Sequence, residues 1–302
     1  MKCTHPIYAV DLGLNPDSGK RKVKMIPKRP DTYNLRYLEN KYGSSNILSL
    51  PCGHCLACKI NYAREWSVRC MLEASQYDSN WFLTLTYDDL YLPKDNKVHK
   101  RHIQSFIKDL RYRIPGLRFL CSAEYGETTH RPHYHLILFN CNIPDVKCIS
   151  KGRYGGHYFD SKIIRDVWSK GQITLGYVTP QSCEYVARYT LKKVNGDEFI
   201  LMSLKPGLGG QYFNDHLDSI YDTDGVYIHG KKYKVPRYSD KILERVNPEK
   251  FSRIKKDRIK LQRDKYLSKL SDSGVQYDEQ LYERDNQVNI GNLKNKLMKG
   301  VL

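Results

Sequence analysis

No stretch of about 18 apolar residues occurs anywhere in these 302 residues, which excludes a membrane-spanning helix and predicts no membrane partner. The opening Met1-Lys2-Cys3-Thr4-His5-Pro6 has no apolar run of the kind that directs secretion, so the chain is expected to stay in a cytoplasm. The nine cysteines are odd in number and come with no export signal. That argues against a disulfide framework and turns attention to thiolate metal ligands. A Gly-x-x-x-x-Gly-Lys-Ser/Thr signature is missing, which predicts that the chain carries no ATP-driven motor of its own. Internal repeats and low-complexity segments are missing too. Acidic residues are in short supply: 33 Asp and Glu face 50 Lys and Arg, a formal charge of +17. Such an excess concentrates a polyanion at the surface and speeds its association, so nucleic acid is the expected partner.

What is present is a folding composition, 40% hydrophobic and 27% charged, with 24 tyrosines. Residues 1–50 offer only short apolar pieces among basic and turn residues and read as an extended lead-in. Tyr62 to Ala74 has helix formers, with Tyr62, Trp66, Arg69 and Glu73 three or four apart. Trp81 to Tyr87 reads as a strand, ended by Asp88-Asp89. Helical spacing returns from His99 to Ile114 through Ile103, Phe106, Ile107 and Leu110, and Pro115-Gly116 stops it. Arg118–Glu124 and His133–Phe139 read as a hairpin. Ser161–Lys170 reads as a short helix, Gly171–Val178 as a strand and Ser182–Val194 as a helix. The order β-α-β-β-α-β-α predicts an α+β fold, an antiparallel sheet backed by helices. A glycine-rich loop, Lys205 to Gly210, follows. Between Lys241 and Leu270, eleven Lys and Arg stand against four Asp and Glu, a net of +7, on a pattern containing Ile254, Ile259, Leu261 and Leu267. This predicts a basic helical tail that tracks phosphates without reading bases, or else an ordinary solvated helix face.

Side chains alternate along a strand, so His133 and His135 point to one side and Tyr134 to the other. Across the hairpin, Glu124 can present a carboxylate to the same face. His-His-carboxylate with open positions would let a divalent ion polarise a phosphodiester. Histidines that merely face solvent at a strand start are the plainer alternative. His130 and Glu127 are rival ligands, less rigidly held because they lie in the turn. Tyr185 and Tyr189 sit four apart, which on a helix places both hydroxyls on one face, with Lys192 and Lys193 a turn further. A tyrosine can attack phosphorus and remain attached, and a nearby cation would steady the phosphate. An ordinary half-buried helix face would show the same spacing. Cys52-x-x-Cys55-x-x-Cys58 brings three thiolates into a tight turn, a spacing that favours zinc over three unmetallated thiols or an iron-sulfur cluster. A structural zinc wants a fourth ligand, for which Cys3 is the first candidate and His54 and His5 the alternatives.

These motifs resemble those of the HUH endonucleases, named for the histidine-hydrophobic-histidine triplet that matches His133-Tyr134-His135. More closely, the chain resembles the replication initiators of the microviruses, small single-stranded DNA bacteriophages, and especially their gokushovirus branch. The resemblance runs through Lys2 to Pro6, Pro51 to Cys58, Phe82 to Asp89, Glu124-Tyr125-Gly126, Arg131 to His135, Tyr185 to Lys193 and Lys205 to Gly209, about two thirds of the chain in the family's order. It implies an HUH/RRM-like sheet, a catalytic Mg2+ or Mn2+, and nicking of one strand at a viral origin through a 5′-phosphotyrosine. It also implies a free 3′ hydroxyl that primes a host DNA polymerase, with a host helicase opening the duplex in the bacterial cytoplasm. Carried over residue by residue, it makes His133 and His135 metal ligands, Tyr185 and Tyr189 nucleophiles, and Lys192 or Lys193 the phosphate support. Glu124 is the third ligand on the reading above, and families with this fold vary that position. The expected organisation is a cysteine-bearing segment over 1–75 packed on the catalytic domain, an endonuclease domain over 76–215 and a basic extension over 216–302. Two rivals remain open: an HUH transposase or relaxase, and a non-catalytic zinc-containing nucleic-acid-binding protein.

Overall fold

The computed structural model describes residues 3–16, 21–26, 32–43, 46–126, 128–151, 156–189 and 196–273, with isolated positions 30, 288 and 291. Two compact units emerge, one of residues 1–61 with 253–302, the other Tyr62–Ser252. The segment expected to carry the catalysis, 76–215, lies inside the second. Among the described residues no helix is long and apolar enough to cross a membrane.

In the first unit, strands β1 (Ile7–Leu14) and β2 (Arg21–Ile26) pair antiparallel. Helix α1 (Thr32–Tyr42) follows, and β3 (Ile47–Leu50) returns along the other edge of β1, giving the order β2-β1-β3. This three-stranded sheet replaces the extended lead-in read from the sequence. Its strands alternate poorly: Ala9 and Val10 are both buried although they are neighbours, while Ile7, Val23 and Met25 are exposed. Period-2 patterning therefore carries no signal here. Helix α2 (Leu56–Ala74) begins in this unit and ends in the second.

The second unit is organised by a seven-stranded sheet in the order β10-β5-β6-β4-β9-β8-β7, antiparallel throughout. Its elements in chain order begin with β4 (Asn80–Thr86), α3 (Lys100–Arg113), β5 (Arg118–Tyr125), β6 (Pro132–Phe139), β7 (Lys147–Lys151) and β8 (His157–Asp160). Then come α4 (Lys162–Val167), β9 (Ile173–Tyr177), α5 (Pro180–Tyr189) and β10 (Ile200–Met202). The strands, the helices and the hairpin expected between Trp81 and Tyr189 are all present. β7 escapes sequence patterning because it is exposed at every position and so carries no buried stripe.

The alternation of side chains splits the sheet into two cores. Leu83 and Leu85 of β4, Tyr134, Leu136 and Leu138 of β6 and Leu175 of β9 face one side, against Ile103, Phe106 and Leu110 of α3 and Trp168 after α4. Leu120, Ile137 and Phe139 face the other, against Ala63, Trp66 and Cys70 of α2 and Cys183, Val186 and Ala187 of α5. On that second side α5 lies over β5 and β6, while Phe82, Thr84 and Thr86 of β4 and Thr174 and Gly176 of β9 stay partly exposed.

The glycine-rich loop is a packing joint. Leu208 is fully buried, and Glu73 accepts the Gly209 N–H at 2.7 Å while Arg69 and Arg118 donate to the Leu208 and Pro206 carbonyls. Gly209 has φ +74°, and a Cβ on Gly207 would sit 2.9 Å from the Tyr238 hydroxyl, so side chains are excluded there. Glu73 also pairs with Arg118, and both side chains are buried. Replacing Glu73 by Ala leaves a buried guanidinium and the Gly209 N–H without partners. The expected cost is about 3–5 kcal/mol, read as a lowered urea midpoint at unchanged slope.

Beyond the loop follow α6 (Gly210–Asp215), α7 (Leu217–Asp222), the hairpin β11 (Val226–Ile228) with β12 (Lys231–Tyr233), and α8 (Arg237–Val246). The basic tail is helical as expected but broken. After Asn247, α9 (Pro248–Ser273) starts afresh, with Asn247 Oδ1 accepting the Lys250 N–H at 2.9 Å and Pro248 in the first turn. Ile259 and Leu261 on α9 are exposed, so these two positions do not form the buried stripe their spacing suggested.

Candidate metal centre and facing tyrosine

Strand register assembles the first site. Glu124 pairs directly with His133, and His135 pairs with Ser122 on one side and Thr84 on the other. Directly paired residues share a face, so a carboxylate and two imidazoles converge. Glu124 Oε1 lies 3.0 Å from His133 Nε2 and 2.5 Å from His135 Nε2. Ligand atoms of all three residues fall within 4.8 Å of one another. The outer edges of the rings are held as well: His133 Nδ1 is 3.1 Å from the Arg131 carbonyl, and His135 Nδ1 is 3.0 Å from Thr84 Oγ1.

The electrostatics follow from burial opposed by pairing. Burial pushes the Glu124 carboxyl up, but hydrogen bonds from both imidazoles and their charge outweigh it and hold the group below the usual carboxylate range. Burial alone would lower His133. The carboxylate and the Arg131 carbonyl raise it instead. For His135 burial prevails over the same carboxylate, aided by the charge of His133, and its pKa falls.

Glu124 Oε2 is buried and has no hydrogen-bond partner among the described residues. An orphaned carboxylate oxygen beside two imidazoles is costly in a protein interior and is what a divalent cation would satisfy. The donor set, two nitrogens and a carboxylate, suits such an ion. Of the rivals, His130 is exposed in the turn outside this group, and Glu127 lies outside the described residues.

Helix α5 carries a tyrosine to this centre. Thr179 and Ser182 cap its start reciprocally, with the Thr179 N–H donating to Ser182 Oγ at 2.8 Å and the Ser182 N–H to Thr179 Oγ1 at 3.1 Å. Ser67 of α2 anchors it by donating to the Pro180 carbonyl. Cys183, Val186 and Ala187 face the core, which leaves Tyr185 over the histidines. Its hydroxyl is 3.4 Å from His135 Nε2, its ring stands edge-on to that imidazole, and Phe82 stacks on the same imidazole. Tyr189 is the last residue of the helix, one turn on, and its side chain is not described. Lys192 and Lys193 lie outside the described residues, so the expected phosphate support has no position here.

The second site belongs to the other unit. Cys3, Cys52, Cys55 and Cys58 form one group, with Cys3 Sγ 3.7 Å from Cys55 Sγ and Cys52 Sγ 4.0 Å from Cys58 Sγ. Four thiolates on a tetrahedral zinc at about 2.3 Å would stand roughly 3.8 Å apart. Backbone N–H groups of Cys52 and Cys55 donate to sulfur at 3.3 Å each. Burial pushes the Cys55 thiol up, yet hydrogen bonds from Thr4 and Cys58 bring it down to about 5, into the thiolate form that metals require. His5 and His54 are exposed and stand outside the group, so the fourth position is Cys3.

Sequence reasoning missed Thr84 and Phe82 as parts of the histidine site. The alternation of Phe82, Thr84 and Thr86 was visible, but which strand would lie beside His135 was not.

An antiparallel sheet that sets a metal-ligating triad beneath a tyrosine helix, in a chain of charge +17, defines a protein that acts on nucleic acid. Comparison with known proteins names the kind. Residues 80–194 match the family model of the replication-associated protein ORF2. The chain is 34% identical to the replication-associated protein ORF2 of Spiroplasma virus 4 over 275 residues, 83% of this chain and 85% of that one. It is 32% identical to the replication-associated protein VP4 of Bdellovibrio phage phiMH2K over 221 residues, 67% and 70% of the two chains. A third relative, the replication-associated protein ORF4 of Chlamydia phage 1, is 28% identical over 217 residues, 65% of this chain and 54% of that one. The chain belongs to this family of phage replication-associated proteins, the replication initiators of microvirus type. No solved structure matches it.

Proposed function

We propose that this chain starts rolling-circle replication as an HUH endonuclease, nicking one strand of a viral origin and later rejoining it through a tyrosine-linked intermediate. The observation that carries this reading is the in-register Glu124–His133–His135 group with the Tyr185 hydroxyl 3.4 Å from His135 Nε2. A bound Mg2+ or Mn2+ would polarise the scissile phosphate and offset the negative charge that develops there. Tyr185 supplies the nucleophile: its oxygen bonds to phosphorus as the bond to the 3′ oxygen breaks. The phenol proton leaves to solvent and the 3′ oxygen takes one up. The products are a 5′-phosphotyrosine and a 3′ hydroxyl, and attack in reverse by a 3′ hydroxyl reseals the strand. One phosphoester is exchanged for another, so rejoining needs no outside energy. Tyr189 serves the second cut one turn further along α5, and Lys192 or Lys193 steadies the phosphate. A host helicase and a host polymerase do the opening and the copying in the bacterial cytoplasm. The four cysteines hold zinc in a structural role.

Purified protein with Mn2+ is expected to nick a single-stranded origin oligonucleotide and leave a protease-sensitive adduct of reduced mobility. His133→Ala should abolish the adduct while circular dichroism shows the fold retained. An oligonucleotide cleaved equally well by that variant would overturn the metal-assisted reading.

A further inference from the structure

We propose that Thr84 is a positioning residue, its hydroxyl keeping the outer edge of the His135 ring hydrogen-bonded whether or not the inner edge holds a metal. The proposal rests on the reading of Glu124, His133 and His135 as a metal centre, and it assigns a role to a threonine of the strand preceding them.

The geometry is asymmetric between the two histidines. His133 Nδ1 faces the Arg131 carbonyl oxygen at 3.1 Å, and a carbonyl only accepts. That ring must therefore carry its proton on Nδ1 and always has Nε2 aimed at the centre. His135 is different. Its Nε2 lies 2.5 Å from Glu124 Oε1, so without a metal the proton belongs on Nε2, donated to the carboxylate. Nδ1 is then a bare lone pair on a ring whose side chain is 8% exposed, and it needs a donor. When a cation takes the Nε2 lone pair, the proton must sit on Nδ1, which now needs an acceptor. The atom facing it at 3.0 Å is Thr84 Oγ1, and a hydroxyl does both.

Three features keep the hydroxyl in place. Thr84 is the direct cross-strand partner of His135, so the two side chains leave the sheet together on one face. A β-branched side chain is stiff about χ1 in a strand. Phe82, two residues earlier on the same face, stacks on the imidazole at 5.6 Å between centroids and an interplanar angle of 12°, while Tyr185 stands edge-on to it at 5.0 Å. The ring is thus fixed in its plane by aromatic contacts and in its tilt by Thr84. Its aim at the metal stays constant while its tautomer changes. Val in place of Thr keeps the shape and leaves Nδ1 without that partner in either state.

The test measures metal binding apart from DNA cleavage. Mn2+ affinity by calorimetry is compared for the intact protein, T84V, T84S and H135A, with unfolding curves for each. Loss of an outer hydrogen bond to a ligating histidine normally weakens metal binding about 10–100-fold, the expectation for T84V, whereas T84S should bind within about threefold of the parent. In the unsubstituted protein, 1H–15N correlation spectra of the His135 ring should show the Nε2–H tautomer without metal and Nδ1–H with saturating Mg2+. T84V binding Mn2+ as tightly as the parent while H135A has lost it, or a His135 ring that shows Nδ1–H in both states, overturns the role of Thr84. H135A binding as tightly as the parent overturns instead the metal centre on which the proposal stands.

Discussion

Replacing Tyr185 by Phe is expected to cut formation of the covalent DNA adduct by at least about a thousandfold, because it removes the nucleophile itself and not a contact around it. The phenyl ring keeps its edge-on contact with His135 and its place beside Phe82, so the helix should stay where it is. Metal affinity and thermal stability should change little. Tyr189→Phe behaves differently on the same argument. One helical turn is about 5.4 Å along the axis, so with Tyr185 at the histidines the Tyr189 backbone is displaced by that much. First-cut adduct should persist in Tyr189→Phe, while release of a closed circle in a two-site joining assay is lost. The double variant should form no adduct at all. An adduct that survives the double change, located by peptide mass spectrometry on some other residue, would remove both tyrosines from the mechanism.

The second large effect concerns the cysteines. Protein purified under reducing conditions without added metal should contain one zinc per chain by mass spectrometry, since four sulfurs already stand at tetrahedral zinc spacing. Binding free energy at a structural site is largely folding free energy, on the order of 10 kcal/mol in small zinc domains. Zinc removal by a strong chelator, or Cys55→Ser, should therefore abolish amide protection in β1, β3 and the start of α2. Peptides from β4, β5 and β6 provide the internal reference. Full protection of residues 3–16 after complete zinc removal would show that the sulfurs cluster without holding the fold.

The two sites differ in how far local spacing reveals them. Cys52, Cys55 and Cys58 are close in sequence, so a single turn brings them together and their spacing is diagnostic. Cys3 joins them only because β1 and β3 pair, an event forty residues long that no local pattern announces. In the histidine site, His133 and His135 share a face by strand geometry alone, and Glu124 follows once the hairpin is granted. Thr84 is a different case. Its strand lies fifty residues upstream and reaches His135 by a pairing in which β6 is flanked by β5 on one side and β4 on the other. The glycine-rich loop was legible as a loop. Its purpose was not, because Glu73, Arg69 and Tyr238 meet it from distant parts of the chain.

By itself, then, the order of residues determined what depends on neighbours within a turn or a strand: the helices and strands of the central region, the shared face of the histidines, the spacing of the tyrosines and the basic charge that selects nucleic acid. Tertiary structure alone decided which strands lie side by side. With that it decided that Glu124 meets both imidazoles through one oxygen, that Tyr185 has its hydroxyl at the centre, and that Thr84 backs His135. The reason is physical. Side-chain periodicity is a property of each segment, whereas register is settled by burial on both faces of a sheet at once, and that sum exists only when the whole chain has packed.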